Sequence, residues 1–71
     1  MMIELFRTND MVLISATEAV LKEFDIIYFI ADEHMSILEG SIGVLPRRVM
    51  VDSDSKAQAE RVLTEAGIMP V

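Results

Sequence analysis

A long apolar stretch at residues 33–46 constrains the fold of this chain more than any other feature, because it separates two runs of β-forming residues. Connections of this length are uncommon inside a compact domain, and they are usually either functional or disordered. This stretch is rich in apolar side chains, which argues against disorder. These side chains are Met35, Ile37, Leu38, Ile42, Val44 and Leu45. We therefore expect an ordered loop that folds back on the domain and carries a ligand or partner site.

Hydrophobic periodicity assigns the rest of the chain to strands and helices. Runs of β-branched and aromatic residues predict strands, and apolar residues at helical spacing after Asn, Asp and Ser caps predict helices. Gly67 suits the position that follows a helix. The predicted strands are 3–7, 26–31 and 47–51, and the predicted helices are 11–24 and a second that follows residues 52–55 and ends near residue 66. Residues 68–71 are either a short edge strand or a frayed tail.

The order β-α-β-β-α, with or without a terminal strand, predicts one α+β domain over residues 1–71. A right-handed βαβ crossover, with the third strand laid between the two parallel ones, gives a split, ferredoxin-like sheet of mixed direction. Both helices would then cover one face of the sheet, and the other face would be open.

Alternation and helical spacing also predict which side chains form the core. In the first strand, Ile3 and Leu5 should lie on one face and Phe6 on the other. The core stripe of the first helix is expected at Leu13, Ala16, Val20 and Phe24, widened by Val12 and Ala19. That of the second helix is expected at Ala59, Val62, Leu63 and Ala66.

The open sheet face is predicted to expose an apolar patch. Phe6 and Met50 should point there by alternation. The second strand is apolar on both faces, so it adds one of two pairs of side chains. These pairs are Tyr28 with Ile30 and Ile27 with Phe29. Such a patch usually marks an interface, which predicts a homodimer or a protein partner.

Composition excludes several classes of protein. The chain has no cysteine, so disulfides and thiolate zinc sites are excluded. A net charge of −6 without a basic patch disfavours binding to nucleic acid. No apolar stretch approaches the ~18 residues that span a bilayer, and the amino terminus lacks the basic region of a signal peptide. We therefore expect a cytoplasmic protein that binds neither nucleic acid nor membrane.

Candidate ligand-binding residues lie in the long loop. His34, with Glu39 nearby, could act as a metal ligand or base, but a lone histidine without diagnostic spacing is also typical of an ordinary polar residue at a strand end. Gly40, Ser41 and Gly43 could offer backbone N–H groups to an anion, or could simply allow turns with positive φ.

Three arginines could complete this site. Arg47 and Arg48 are adjacent on a strand, so they should point to opposite faces, and only one can face a given site. One of them, or Arg7 from another strand, would suit a phosphate or carboxylate. The alternative is charge compensation for nearby acidic residues. No nucleophile motif or triad is present, so we predict no catalytic residues, no metal ligands and no cofactor.

The segments LFRTND at residues 5–10 and YFIADEHMSILEGSIGVLPRRV at residues 28–49 resemble the DUF2007 family of small bacterial proteins, which are described as signal-transducing. The resemblance is most specific over residues 32–49. It implies a ferredoxin-like fold related to that of the PII nitrogen regulators, but it brings no known activity and no catalytic residues. Nucleotide binding is not carried over, because the chain lacks room for the long loop of PII proteins.

These observations favour a non-enzymatic signal-transducing or regulatory module with a ligand or partner site at residues 33–46. The alternative is a structural interaction domain that self-associates through its open sheet face.

Overall fold

A computed structural model describes residues 1–31 and 46–69 of the chain. Within these ranges the elements are β1 (Met2–Thr8), α1 (Met11–Glu23), β2 (Tyr28–Ala31), β3 (Arg47–Asp52) and α2 (Lys56–Glu65), with a 3-10 turn (Ser53–Ser55) before α2. The predicted α+β class and the order β-α-β-β-α are confirmed. The predicted ordered loop falls almost wholly outside the described residues. Of the predicted terminal strand, residues 68 and 69 belong to no strand, and residues 70 and 71 lie outside the described part.

The sheet has the order β1-β3-β2, with β3 antiparallel to both of its neighbours. The strands β1 and β2 therefore run parallel to each other without touching, and β3 fills the space between them. This is the predicted split βαβ arrangement, and it is consistent with a ferredoxin-like fold.

The core lies between the sheet and the two helices. Its buried cluster consists of Phe6, Ile14, Leu21, Ile26, Val49, Val51, Ala59, Val62, Leu63 and Ile68. Thr17 is a buried polar residue of α1, and its hydroxyl donates to the carbonyl of Leu13 at 2.8 Å, so its polar group is satisfied. Ile68 extends the core beyond α2.

The predicted core stripe of α1 is wrong by one position. The buried residues of this helix are Ile14, Thr17 and Leu21. Val12 and Phe24 remain 78% and 45% exposed. Of the other predicted positions, Leu13 and Val20 pack at the margin of the core, and Ala16 and Ala19 are exposed. Helix α1 is apolar on several sides, so hydrophobic periodicity alone could not show which side faces the core.

The predicted core stripe of α2 is largely right. Ala59, Val62 and Leu63 are buried. Ala66 is exposed, because the helix ends at residue 65 and Ala66 is already its C-cap. The second helix carries more polar residues than the first, which made its inward face easier to predict.

A β-bulge in β1 changes which side chains face the core. Glu4 pairs with Met50 and Phe6 pairs with Val49, so Leu5 is an extra residue in the ladder. Phe6 therefore lies on the same face as buried Val49, and it is itself 7% exposed. Leu5 also packs against the core. The prediction that Phe6 lies on the open face is wrong, because the bulge interrupts strict alternation.

The register of β2 decides between its two apolar faces. Tyr28 and Ile30 pair with Val51 and Val49, so they face the helices. Phe29 pairs with Met50 and is 57% exposed on the open face. Of the predicted interface residues, Phe29 and Met50 thus lie on the open face, and Tyr28 does not.

Both helices end in the same hydrogen-bond pattern. After α1, the N–H of Asp25 donates to the carbonyl of Lys22 at 3.1 Å, and the N–H of Ile26 donates to that of Leu21 at 2.9 Å. This is a Schellman motif, and α2 repeats it around Gly67. Asp25 has φ 56° and Gly67 has φ 80°, which confirms the predicted role of Gly67.

The face assignment of β1 and β2 predicts opposite outcomes for two phenylalanines. Phe6→Ala should lower the free energy of unfolding by about 3–5 kcal/mol, because it leaves a cavity in the core. Phe29→Ala should lower it by less than about 1 kcal/mol, because that ring is largely in solvent. Urea denaturation measures both. Equal losses of unfolding free energy in the two variants would contradict the bulge, because the bulge places Phe6 in the core.

The two helix ends predict a second pair of opposite effects. Asp25→Gly should raise the free energy of unfolding by about 0.5–1 kcal/mol, because a left-handed conformation is strained for any residue with a Cβ. Gly67→Ala should lower it by about 1 kcal/mol, although no atom lies within 4 Å of the added Cβ. Thermal or urea denaturation tests both changes, and a loss of stability in Asp25→Gly would contradict the argument.

Candidate functional site

Three of the six basic residues of this acidic chain lie at one edge of the sheet. Thr8, at the end of β1, pairs with Arg47 at the start of β3. Ala31, at the end of β2, pairs with Arg48. Arg7, Arg47 and Arg48 are therefore close along the same edge, which we call the arginine edge. It is also the edge from which the chain leaves β2 and to which it returns at β3.

Arg47 and Arg48 point to opposite faces, as predicted. The guanidinium of Arg47 contacts the sulfur of Met11, at the start of α1 on the helix side. Arg48 is directly opposite Arg7 on the open face. Of the three predicted arginines, the structure thus brings Arg7 and Arg48 together and separates Arg47 from them.

Glu4 joins this pair of arginines. The Nε of Arg7 donates to one carboxylate oxygen of Glu4 at 3.1 Å, and its terminal nitrogen donates to the other at 2.8 Å. Residues three apart on a regular strand point to opposite faces, so this contact requires the bulge at Leu5. Two parallel hydrogen bonds between a guanidinium and a carboxylate are the geometry that arginine also offers to external anions.

Two guanidinium groups and one carboxylate lie close together in this cluster. Arg7 and Arg48 carry like charges on directly opposite positions, an arrangement that destabilises a strand pair. The hydrogen bonds from Arg7, together with the positive charges of Arg7 and Arg48, hold the pKa of Glu4 below its ordinary value of 4.5. Both guanidinium groups therefore act on the carboxylate of Glu4.

Tyr28 belongs to a separate polar contact on the helix side of the sheet. Its hydroxyl donates to a carboxylate oxygen of Glu18 in α1 at 2.8 Å. This hydrogen bond and the adjacent negative charge raise the pKa of Tyr28 above its ordinary value of 10.0. The contact ties β2 to α1, so it explains why Tyr28 is unsuited to the predicted role on the open face.

The remaining predicted ligand-binding residues lie outside the described part of the chain. They are His34, Glu39, Gly40, Ser41 and Gly43. Glu4 was missed by the sequence analysis, because its spacing from Arg7 predicts opposite faces on a regular strand. The sequence does place an acidic residue and a basic residue on either side of two apolar ones. This spacing brings Glu4 and Arg7 to one face only if the strand contains a bulge.

Two negative findings apply to residues 1–31 and 46–69. Within these ranges, no group of three or more histidine or acidic side chains is arranged to hold a metal ion. Neither of the helices in these ranges is long and apolar enough to cross a membrane.

Comparison with known families gives one match that covers nearly the whole chain. The model of the family DUF2007, described as "Putative prokaryotic signal transducing protein", matches residues 2–67. The matched range contains all three strands, both helices and the arginine edge. A comparison with curated proteins finds no match.

The Glu4–Arg7 pair predicts a measurable pH dependence. Because folding lowers the pKa of Glu4, the pair stabilises the folded state above the ordinary carboxyl pKa, and this contribution is lost as the pH falls through the lowered value. In Arg7→Gln, the pKa of Glu4 should rise toward 4.5, with a residual lowering from Arg48. NMR titration of the side-chain carboxyl carbons measures this shift. An unchanged pKa of Glu4 in Arg7→Gln would show that the ion pair is absent in solution.

Proposed function

The chain belongs to the DUF2007 family of signal transducing proteins, and we propose that it is a non-enzymatic module that binds an anionic ligand or partner at the arginine edge. The chemical class we propose is a phosphate or carboxylate group, on a small molecule or on a protein. The long segment at residues 33–46 would contribute to the same site, because it leaves and rejoins the sheet at this edge. We place the module in the cytoplasm.

The observation that supports this proposal is the cluster of Glu4, Arg7 and Arg48. The carboxylate of Glu4 already accepts two hydrogen bonds from the guanidinium of Arg7, at 2.8 and 3.1 Å, as an external carboxylate would. It acts as an internal competitor that an incoming anion with more charge could displace. Exchange of one anion for another would alter the pairing between β1 and β3 without any chemical step, and a change of this kind is suited to a sensor.

The non-enzymatic part of the proposal is supported by composition. The chain has no cysteine and a single histidine, His34. Nucleophilic catalysis by serine requires a base held against the nucleophile and oriented by a third group, and no spacing in the sequence suggests such a set. Binding alone is therefore the simpler role for the arginine edge.

A second candidate function is supported by a different surface. On the open face, Phe29 is 57% exposed and Met2 is 37% exposed, and Ile27, which precedes β2, is 71% exposed. Exposed apolar groups that share a face are typical of interfaces. The alternative is therefore a structural interaction domain that self-associates through the open face of its sheet.

The anion proposal predicts opposite effects for the two members of the Glu4–Arg7 pair. Arg7→Gln and Arg48→Gln should each weaken the binding of phosphate or citrate by about tenfold or more, because each removes a charged hydrogen-bond donor. Glu4→Gln should instead strengthen binding several-fold, because it removes the competing carboxylate. NMR titrations with sodium phosphate and sodium citrate at constant ionic strength measure these changes.

Arg61→Gln provides the matched control, because Arg61 is an exposed arginine on α2 and not on a strand of the sheet. It should bind both anions like the wild type. If Glu4→Gln does not strengthen binding, or if Arg61→Gln weakens it as much as Arg7→Gln, the anions act only through the general charge of the protein and the proposal is wrong.

A further inference from the structure

The first residue of helix α1 lies against one of the arginines of the sheet, on the helix side. Met11 begins α1, directly after the N-cap residue Asp10. The guanidinium of Arg47 contacts the sulfur of Met11. Strand pairing brings the same two residues together, because Thr8, which ends β1 shortly before Met11, is directly opposite Arg47. The path of the backbone and the side-chain contact therefore agree on this placement.

A thioether and a guanidinium are an unequal pair of hydrogen-bonding groups, because the sulfur of methionine is a weak acceptor and arginine carries five N–H donors. Oxidation by hydrogen peroxide changes the acceptor. A lone pair of the sulfur attacks one peroxide oxygen, the S–O bond forms as the O–O bond breaks, and the other oxygen takes up the remaining proton and leaves as water. The sulfur is oxidised by two electrons, and the peroxide is reduced. The product is a sulfoxide, whose polar oxygen lies on the sulfur that Arg47 already contacts.

The exposure of Met11 favours both this reaction and its product. Met11 is 52% exposed, so peroxide can reach it and the added oxygen does not have to enter the core. Oxidation of a packed methionine is usually destabilising, because it makes an apolar side chain polar. Met69 packs against the core and Met50 is half-buried, so the same reaction would cost stability at these positions. Met11 thus combines access for the oxidant with a donor for the product.

We propose that Met11 is a site of oxidation by hydrogen peroxide, and that Arg47 donates a hydrogen bond to the oxygen of the sulfoxide. A charged donor forms a strong hydrogen bond with such an acceptor. This bond joins the first turn of α1 to the first residue of β3, so oxidation ties the helix to the sheet. The change is reversible, because sulfoxide reductases restore the thioether. The inference goes beyond the anion proposal, which depends on Glu4, Arg7 and Arg48.

Met11→Gln tests the hydrogen bond without oxidation. It places an amide oxygen near the position of the sulfoxide oxygen, whereas Met11→Leu leaves no acceptor in the side chain. Glutamine, leucine and methionine have similar helix propensities, so the two variants differ mainly in this polar group. The Tm of Met11→Gln should exceed that of Met11→Leu by about 4 °C or more, because a hydrogen bond to a charged group is gained.

Arginine variants show whether Arg47 is the donor. Combined with Arg47→Leu, the difference in Tm between Met11→Gln and Met11→Leu should disappear. Combined with Arg61→Leu, which makes the same change at an exposed arginine of α2, it should persist. Equal Tm values for Met11→Gln and Met11→Leu, or a difference that survives Arg47→Leu, would overturn the proposed hydrogen bond.

Limited treatment with hydrogen peroxide tests the oxidation itself. Peptide mapping by mass spectrometry should find the sulfoxide at Met11 earlier than at Met50 or Met69. At equal peroxide dose, the wild type should lose less Tm than Met11→Leu, by about 4 °C or more. The guanidinium N–H signals of Arg47 in NMR spectra should shift on oxidation in the wild type and not in Met11→Leu, a readout that requires no change at Arg47.

Two results would contradict the proposal. Oxidation of Met11 no faster than that of the packed Met69 would show that it is not a preferred site. Unchanged signals of Arg47 in protein that is fully oxidised at Met11 would show that the sulfoxide is not bound. The anion proposal has a separate readout, the binding of phosphate and citrate.

Discussion

The extra residue in β1 is the constraint on which both faces of this small sheet depend. Without it, a strand that reads Ile-Glu-Leu-Phe-Arg would place Phe6 in solvent and would separate Glu4 from Arg7. With Leu5 inserted in the ladder, Leu5 and Phe6 both pack against the core, and Arg7 returns to the face that Glu4 occupies. One irregularity in backbone pairing therefore supplies a large aromatic ring to the core and creates a bidentate ion pair on the opposite side.

This arrangement links stability to the candidate site. Phe6 fills the core directly beneath the region where Arg7 and Arg48 face each other, so the packing of one side fixes the position of the other. Glu4 lies beside the two arginines, and its negative charge reduces the repulsion between them. Glu4, Arg7 and Arg48 are held on strands, which favours a constant geometry for this part of the site.

Helices and strands are predicted well where the hydrophobic pattern of the sequence fits only one type of element. The three strands, the two helices and the left-handed Gly67 follow from period and composition, and they agree with the structure except that the second strand begins at Tyr28 and not at Ile26. The inward face of α1 could not be predicted, because apolar residues lie on several sides of this helix. The bulge could not be predicted either, because Ile3 to Arg7 alternates acceptably without it. Glu4 was missed as a direct consequence, whereas Arg7 and Arg48 were identified from their charge and position.

The central position of β3 has a consequence for how this chain acquires its structure. Neither β1 nor β2 has a strand partner other than β3 among the described residues, although β3 follows both in sequence. A nascent chain that has emerged only as far as β2 thus contains two strands that cannot form the native ladder. The ladder between β1 and β3 must form late, because it joins residues far apart in sequence, such as Ile3 with Val51. Contacts this distant in sequence slow folding, so α1 and α2, whose hydrogen bonds are local, can form before the sheet.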